Sequence, residues 1–388
     1  MTAIAALLPD GRLHLQHGPI DCLCRAWGDS IEIQAAYNQA VRLFATILDD
    51  LCIELPLLRT PLPTPPPAGA IARAMHTACT PFADRFITPM AAVAGAVADA
   101  VLAAMVRGRD LPRAFVNNGG DIAFHLAPGT LLRCGLVSDI AIAGRVTAGL
   151  SSCVMAVHGL DPGIGPATHD LRGRDTGPSW VTGPSPVMTQ MGNPATTENG
   201  PLSWPPPSPS WPGVSGPPIA ARAGRGAPDK PGHDEQDSDR TGRITPDGTF
   251  LLTAEHSARG LATSGRACKG HGGRSFSLGI ADSVTILART AAQADAAATI
   301  IGNAVDLPGH PSIDRRPASQ IDPASDLGDR LITFDVGPLS DAAIDAALDA
   351  GETMADTLLR DGLIEGAVLA LRGHLRIRHT ALALLEPA

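Results

Sequence analysis

Aromatic residues are scarce: only 3% of the 388 residues are Phe, Trp or Tyr, with a single tyrosine. A core must therefore be assembled from Ala, Leu, Ile and Val. Lysine is almost missing. Lys230 and Lys269 are the only two, and every other basic side chain is Arg. With a net charge of −9, the chain lacks the basic stripe of a nucleic-acid surface and the polybasic segment of a membrane anchor. The seven cysteines are odd in number and form no CxxC pair. This argues against a disulfide framework and for a reducing, cytoplasmic setting. Residues Met1 to Asp10 have no basic segment, and their apolar run is too short for a signal peptide. The longest apolar stretch, Phe86 to Met105, contains Pro89, Gly95 and Asp99. It reads as a buried helix rather than a membrane span. Usable GxSxG, Walker, HExxH and GxGxxG motifs are missing as well.

Proline and glycine, by contrast, are plentiful, and the prolines are concentrated. Residues 161–247 hold 17 of the 35 prolines and three of the four tryptophans. The run Trp204 to Pro212 excludes helix and central strand, because proline lacks an N–H and fixes φ. The stretch reads as a disordered insertion or as a partner-binding polyproline arm. It separates two blocks, 1–160 and 248–388.

In the first block the pattern predicts strands at Arg12 to His17, Ile31 to Ile33, Ala114 to Val116, Ile122 to Leu126, Leu131 to Leu136 and Ile140 to Ile142. Helices are predicted over Ala35 to Leu51, Ala70 to Cys79 and Met90 to Val106. In the second block, strands are predicted at Phe250 to Thr253, Ser283 to Leu287 and Leu331 to Asp335. Thr290 with Gln293 forms a capping box that opens a helix to Ala304. Ser340 caps another to Leu359, and Ala367 to Ile377 reads as a hairpin. Helices and hairpins mix without regular βαβ alternation, so the fold class is α+β.

Four segments carry chemistry. Val116-Asn-Asn-Gly-Gly-Asp-Ile122 puts two glycines between strands, where backbone N–H groups can approach an anion. Asn118 and Asp121 could fix ribose or ring groups, although an ordinary Asn-Gly hairpin has the same pattern. Gly260 to Gly265 offers hydroxyls suited to phosphate, or a plain turn. Asp295, Thr299 and Asn303 lie at i, i+4 and i+8, which gives one helix face three oxygen donors of the kind Mg²⁺ prefers. The alternative is a solvated polar face. Gly272 to Asp282 contributes Arg274, able to grip a phosphate, and Asp282 at a strand start, or it is a glycine-rich loop with Asp282 as a surface or capping residue. The cluster His14, His17, Cys22 and Cys24 matches no common zinc spacing, and alternation divides it between strand faces.

Taken in order, Val93 to Asp99, Val116 to Ile122, Ala262 to Gly265, and Ser283 to Leu287 followed by Ala294 to Thr299 resemble the ApbE superfamily, whose main members are FAD:protein FMN transferases. The segments Gln16 to Asp21, Pro89 to Gly95 and Gly273 to Asp282 are similar to an uncharacterised cytoplasmic branch of it. The resemblance implies one ApbE-like domain of mixed, largely antiparallel sheets with packed helices, its halves at 1–160 and 248–388. It also implies Mg²⁺ as cofactor, FAD or a related flavin nucleotide as ligand, and a protein acceptor. Asp295 and Thr299 would hold the metal. Asn118, Gly119, Gly120, Asp121, Thr263, Ser264, Gly265 and Arg274 would line the nucleotide, with Asp282 as the catalytic residue. The family's Lys before Gly is Ala94 here, and Ser277 to Asp282 occupies the place of its histidine motif. Binding without transfer is therefore the alternative function.

Overall fold

The computed structural model describes residues 2–136, 157–158, 248–266, 276–380 and 384–387. The proline-rich stretch and the strand expected at 140–142 lie outside the described residues. The described residues belong to one compact unit contributed by both ends of the chain, Met1–Gly173 and Thr245–Ala388.

The chain opens with strands β1 (Ile4–Leu7), β2 (Leu13–His17) and β3 (Ile20–Trp27), then helix α1 (Ser30–Ile53) and a short turn of helix, α2 (Leu55–Leu58). Helix α3 (Ala70–Cys79) and a 3₁₀ turn at Pro89–Ala92 lead into α4 (Val93–Val106). Strands β4 (Arg113–Asn118), β5 (Asp121–Leu126), β6 (Leu131–Leu136) and β7 (Val157–His158) follow, then β8 (Gly248–Thr253), β9 (Gly260–Ser264) and β10 (Ser283–Ala288). Helix α5 (Ala291–Ala304), β11 (Ile313–Pro317), the short α6 (Ala318–Ile321), β12 (Leu331–Val336) and α7 (Asp341–Arg360) complete the helical part. Strands β13 (Gly366–Leu371), β14 (His374–His379) and β15 (Leu384–Pro387) end the chain.

Nine strands form one sheet in the order β1-β2-β3-β4-β5-β9-β10-β13-β14. Every pairing is antiparallel, so the α+β expectation is met. The two blocks of sequence meet inside this sheet, where β5 pairs β9 through Ile122↔Leu261 and Ala123↔Gly260. Strands β15, β8, β6 and β7 form a second sheet, and β11 with β12 a third.

Alternation divides the large sheet between two cores. Leu13, Cys24, Val116, Ala123, Ala262, Val284, Ile286 and Leu369 face the helices. Phe115, Ile122, Phe124, Leu261, Leu287 and Val368 face the second sheet and meet Leu132 and Leu252 there. Phe115 and Phe124 lie in this smaller core, where Trp27 meets Phe115 at a tilt with ring centroids 5.9 Å apart, while Tyr37, Phe44 and Phe82 belong to the helical core. The helical core is built largely from alanine and branched aliphatics.

Local chemistry explains one reversal. Ile31 to Ile33 is not a strand: the Asp29 side chain accepts from Ile31 N at 2.8 Å and caps α1. An N-cap carboxylate satisfies a first-turn N–H, and the alternation reflects Ile31 lying 75% exposed on that turn. Strands β1, β3, β7, β9, β11 and β15 were not anticipated; β3 carries buried Cys22 and Cys24, and Gly260–Ser264, which also allowed a plain turn, is instead a strand inside the large sheet. Among the described residues, Pro89–Val106 is long and apolar enough to cross a membrane. Half of it is buried in the fold, where α4 packs against α1, α5, β4 and β5.

Candidate functional site

The Asn-Gly-Gly-Asp segment is the two-residue loop of the β4–β5 hairpin, closed by the pair Asn118↔Asp121. Gly119 and Gly120 have φ of +65° and +110°. That is the region a tight hairpin loop demands and side chains resist. The Asn117 carboxamide oxygen accepts from Gly120 N at 2.8 Å and braces the turn. The flanking polar pair points at the helices. Asn118 Nδ2 donates to Ala94 O at 3.0 Å, and Asp121 Oδ1 accepts from Thr263 N at 3.2 Å. Both side chains are buried.

Helix α5 brings the second acid. Thr290 caps it, its hydroxyl accepting from Gln293 N at 3.1 Å, and an alanine-rich sequence propagates it. One turn in, Asp295 Oδ2 accepts from Gly95 N at 3.1 Å, and the Asp295 carboxyl lies beside that of Asp121. Two neighbouring carboxyl groups resist ionising together. Asp295 keeps some solvent contact, yet burial dominates and lifts its pKa to about 7. The Gly95 and Ala94 N–H groups and Asp121 pull the other way, while the charge of Asp99 raises it further. The Cys79 thiol is pushed up by burial and by the charge of Asp295.

A third acid completes the constellation. Asp99, on α4, accepts from Ala291 N at 3.0 Å and Ala292 N at 2.9 Å, the first N–H groups of α5. Burial raises its pKa to about 6 against these bonds and one from the Thr290 hydroxyl. Asp295 in turn accepts from first-turn N–H groups of α4, so each helix caps the other. The sequence reading gave neither Asp99 nor Gly95 a role. The available signal was a carboxylate inside an apolar helix, which needs a partner when buried.

The remaining predicted residues divide. Ser264 faces the helices: a Cβ on Gly302 of α5 would sit 3.8 Å from its Oγ. Thr299 lies one turn beyond Asp295 on the same flank of α5. Thr263 reaches the acid pair only through its backbone N–H. Its hydroxyl points to the opposite face of the sheet and bonds Thr285 Oγ1 at 2.9 Å. Gly265, at φ +135°, lies against the Asp282 carbonyl, where a Cβ would come within 2.5 Å. Asn303 accepts from Leu278 N at 3.0 Å and pins that loop. The Asp282 carboxylate accepts from Arg372 N at 2.6 Å and fixes the β13–β14 turn, so its bond is structural rather than directed at the acid pair. Arg274 lies outside the described residues.

His14 pairs with Asp21 at 2.9 Å on the face opposite buried Cys22 and Cys24. Among the described residues no group of three or more His, Cys, Asp or Glu is gathered as a metal site. A cleft of about 360 Å³ is lined by Val336, Gly337, Pro338, Leu339, Ile344 and Arg372, none of them from the acid pair or its hairpin.

No curated protein matches the chain. A family model described as AbpE bacteria matches residues 5–177 and 237–377. The two stretches leave out only the middle of the proline-rich segment and the chain ends, and so cover most of the sequence. The chain therefore belongs to the AbpE bacteria family.

Proposed function

We propose that this is an ApbE-like protein that binds a flavin nucleotide, FAD or a relative, together with Mg²⁺ at the Asp121–Asp295 pair. One observation carries the reading: a buried carboxyl group, Asp121, and a half-buried one, Asp295, brought together beside a hairpin of two glycines. The donor set suits the metal. Asp121, Asp295 and Thr299 offer hard oxygens, and Mg²⁺ is held by one or two carboxylates completed by water and phosphate. Asp121 and Asp295 repel when both are ionised, and a dication between them would relieve that repulsion. When bound, Mg²⁺ would offset phosphate charge and polarise a phosphoryl oxygen. Gly119 and Gly120, without side chains, leave the hairpin backbone open to a phosphate. The β9 backbone holds Asp121 in place through Thr263 N. A cytoplasmic setting belongs to this proposal, and the five described cysteines, all free thiols, agree with it.

A second reading adds cleavage of the FAD pyrophosphate, with FMN passed to a protein acceptor or to water. It is favoured by the Asp295 pKa of about 7, where a carboxyl can move a proton at neutral pH. Against it, Asp282 is tied to Arg372 N, and Ala94 offers only a backbone oxygen to Asn118. Titrating the purified protein with FAD, with and without Mg²⁺, while following retained flavin and released AMP, separates the two. Mg²⁺-dependent retention without AMP supports binding alone. AMP release supports the second reading. Equal retention with and without Mg²⁺, in wild type and Asp295→Ala alike, would sink both.

A further inference from the structure

The first turn of α5 sits in a socket. A Cβ on Gly95 of α4 would lie 2.2 Å from Ala291 O, and one on Gly260 of β9 would lie 2.1 Å from Ala291 N. Both glycines therefore let backbone meet backbone with no padding between α4, β9 and α5. Asp99 closes the socket, each of its carboxylate oxygens taking one of the N–H groups of Ala291 and Ala292. Both oxygens are thereby engaged with the start of α5, so Asp99 acts on the site through that helix. The same α5 then extends one turn and places Asp295 Oδ2 on Gly95 N, in the first turn of the helix that carries Asp99. A helix moves as a rigid body over one turn, and hydrogen bonds weaken steeply with misalignment. Functional groups must be held within about 0.5 Å of their working geometry.

We infer that Asp99 is a positioning residue that seats α5 so that Asp295 meets Gly95 N and Asp121. On the reading of the site above, it thereby sets how tightly the acid pair takes Mg²⁺. Its two bonds act across 192 and 193 residues of sequence, so the contact links the two halves of the chain at the site itself.

The test compares full-length wild type, Asp99→Ala, Asp99→Asn and Ile301→Ala at a temperature where all are folded. Ile301 is fully buried on α5 beyond the acid pair and serves as a stability control. One readout is exchange of the Gly95 amide proton without metal. The other is the Kd for Mg²⁺ alone by calorimetry. Asp99→Ala should speed Gly95 exchange and weaken Mg²⁺ each by about tenfold, the scale of one lost charge-assisted bond. Asp99→Asn, which keeps one acceptor oxygen, should restore part of both. Ile301→Ala should lower Tm and leave both readouts at wild type. Wild-type Gly95 exchange in Asp99→Ala, or equal acceleration in Ile301→Ala, overturns the inference. Should Asp99→Ala fail to fold, Asp99→Asn decides by the same readouts. A wild type that takes up no Mg²⁺ sinks the reading of the site, while Gly95 exchange still decides whether Asp99 positions Asp295.

Discussion

The first turns of α4 and α5 are built alike and end differently. Each offers N–H groups that its own helix cannot satisfy, and each is capped by an aspartate from the other. At α5 the cap stays with the helix end: Asp99 accepts from two backbone donors and from the Thr290 hydroxyl that caps the same helix. At α4 the cap has work left over, because Asp295 also contacts the carboxyl group of Asp121. A carboxylate whose partners all belong to one helix end serves the fold. One that lies beside a second acid meets an unfavourable like charge when both ionise, which a cation relieves. The same residue type in near-equivalent places thus divides into a structural group and a candidate ligand.

The comparison depends on how closely the helices approach, so the largest effect comes from forcing them apart. Gly95→Ala places a Cβ 2.2 Å from the Ala291 carbonyl. Backbone on both sides cannot yield as a flexible side chain would. The gain of about 1 kcal/mol in helix propensity is outweighed by overpacking, and a net loss of about 3 kcal/mol is expected. Denaturant melts should show a lower midpoint, and Mg²⁺ should fail to restore it.

Next come the caps themselves. Asp99→Ala strands two N–H groups of buried alanines, with an expected loss of about 3 kcal/mol at neutral pH. Asp295→Ala should cost only about 1 kcal/mol, because it also removes the repulsion on Asp121. Asp295→Asn should stabilise the metal-free protein at pH 8 and abolish any rise in Tm on adding Mg²⁺. Equal losses for Asp99→Ala and Asp295→Ala would break the distinction between the two caps.

A smaller, graded effect follows from titration. Both acids have folded pKa values, about 6 for Asp99 and about 7 for Asp295, above the usual unfolded value near 4. Between those limits the native state holds more protons than the unfolded one, so stability falls as pH rises. The contribution is fully present below pH about 4 and lost once the pH passes 6 for Asp99 and 7 for Asp295. Stability measured from pH 4.5 to 8 should decline, and Asp295→Asn should flatten the part nearest pH 7. Mg²⁺ should raise Tm more at pH 8 than at pH 5. A flat wild-type profile would contradict the burial of these groups.

Much of this was legible in the residues because it is local. The cap at Thr290, the glycines of the β4–β5 hairpin and the strand periodicity of β10 announce themselves within a few positions. The acids at Asp121 and Asp295 were legible as candidates, since polar groups beside glycine and alanine are conspicuous. What was hidden is non-local. Nothing around Asp99 says that its partners are the N–H groups of Ala291 and Ala292. Nothing around Gly95 says that a backbone from the other half of the chain will lie against it. The β3 strand was missed because it alternates buried cysteines with polar and aliphatic residues, a pattern that also invites a metal reading. Asp282 looked chemical because a loop delivers it to a strand, while its bond to Arg372 N depends on a turn 90 residues away.

The smallest effect separates the two faces of one strand. Thr263 and Ser264 are neighbours, and both were read as lining the nucleotide. Pairing across β9 and β10 sets Ser264 opposite Val284 and Thr263 opposite Thr285. Val284 belongs to the helical core, so Ser264 shares a side with Asp121 and Asp295, and Thr263 turns its hydroxyl away. Thr263→Val keeps the shape and the backbone N–H on which Asp121 depends, and leaves the buried Thr285 hydroxyl without its partner. A loss of about 1 kcal/mol is expected, with no change in Mg²⁺ or flavin affinity. Ser264→Val, on the other face, should leave stability nearly unchanged and weaken flavin retention by crowding the space beside Gly302 and Thr299. If Thr263→Val weakened retention as much as Ser264→Val, the ligand would have to reach the far side of the sheet. The acid pair would then be a cap shared by two helices and nothing more.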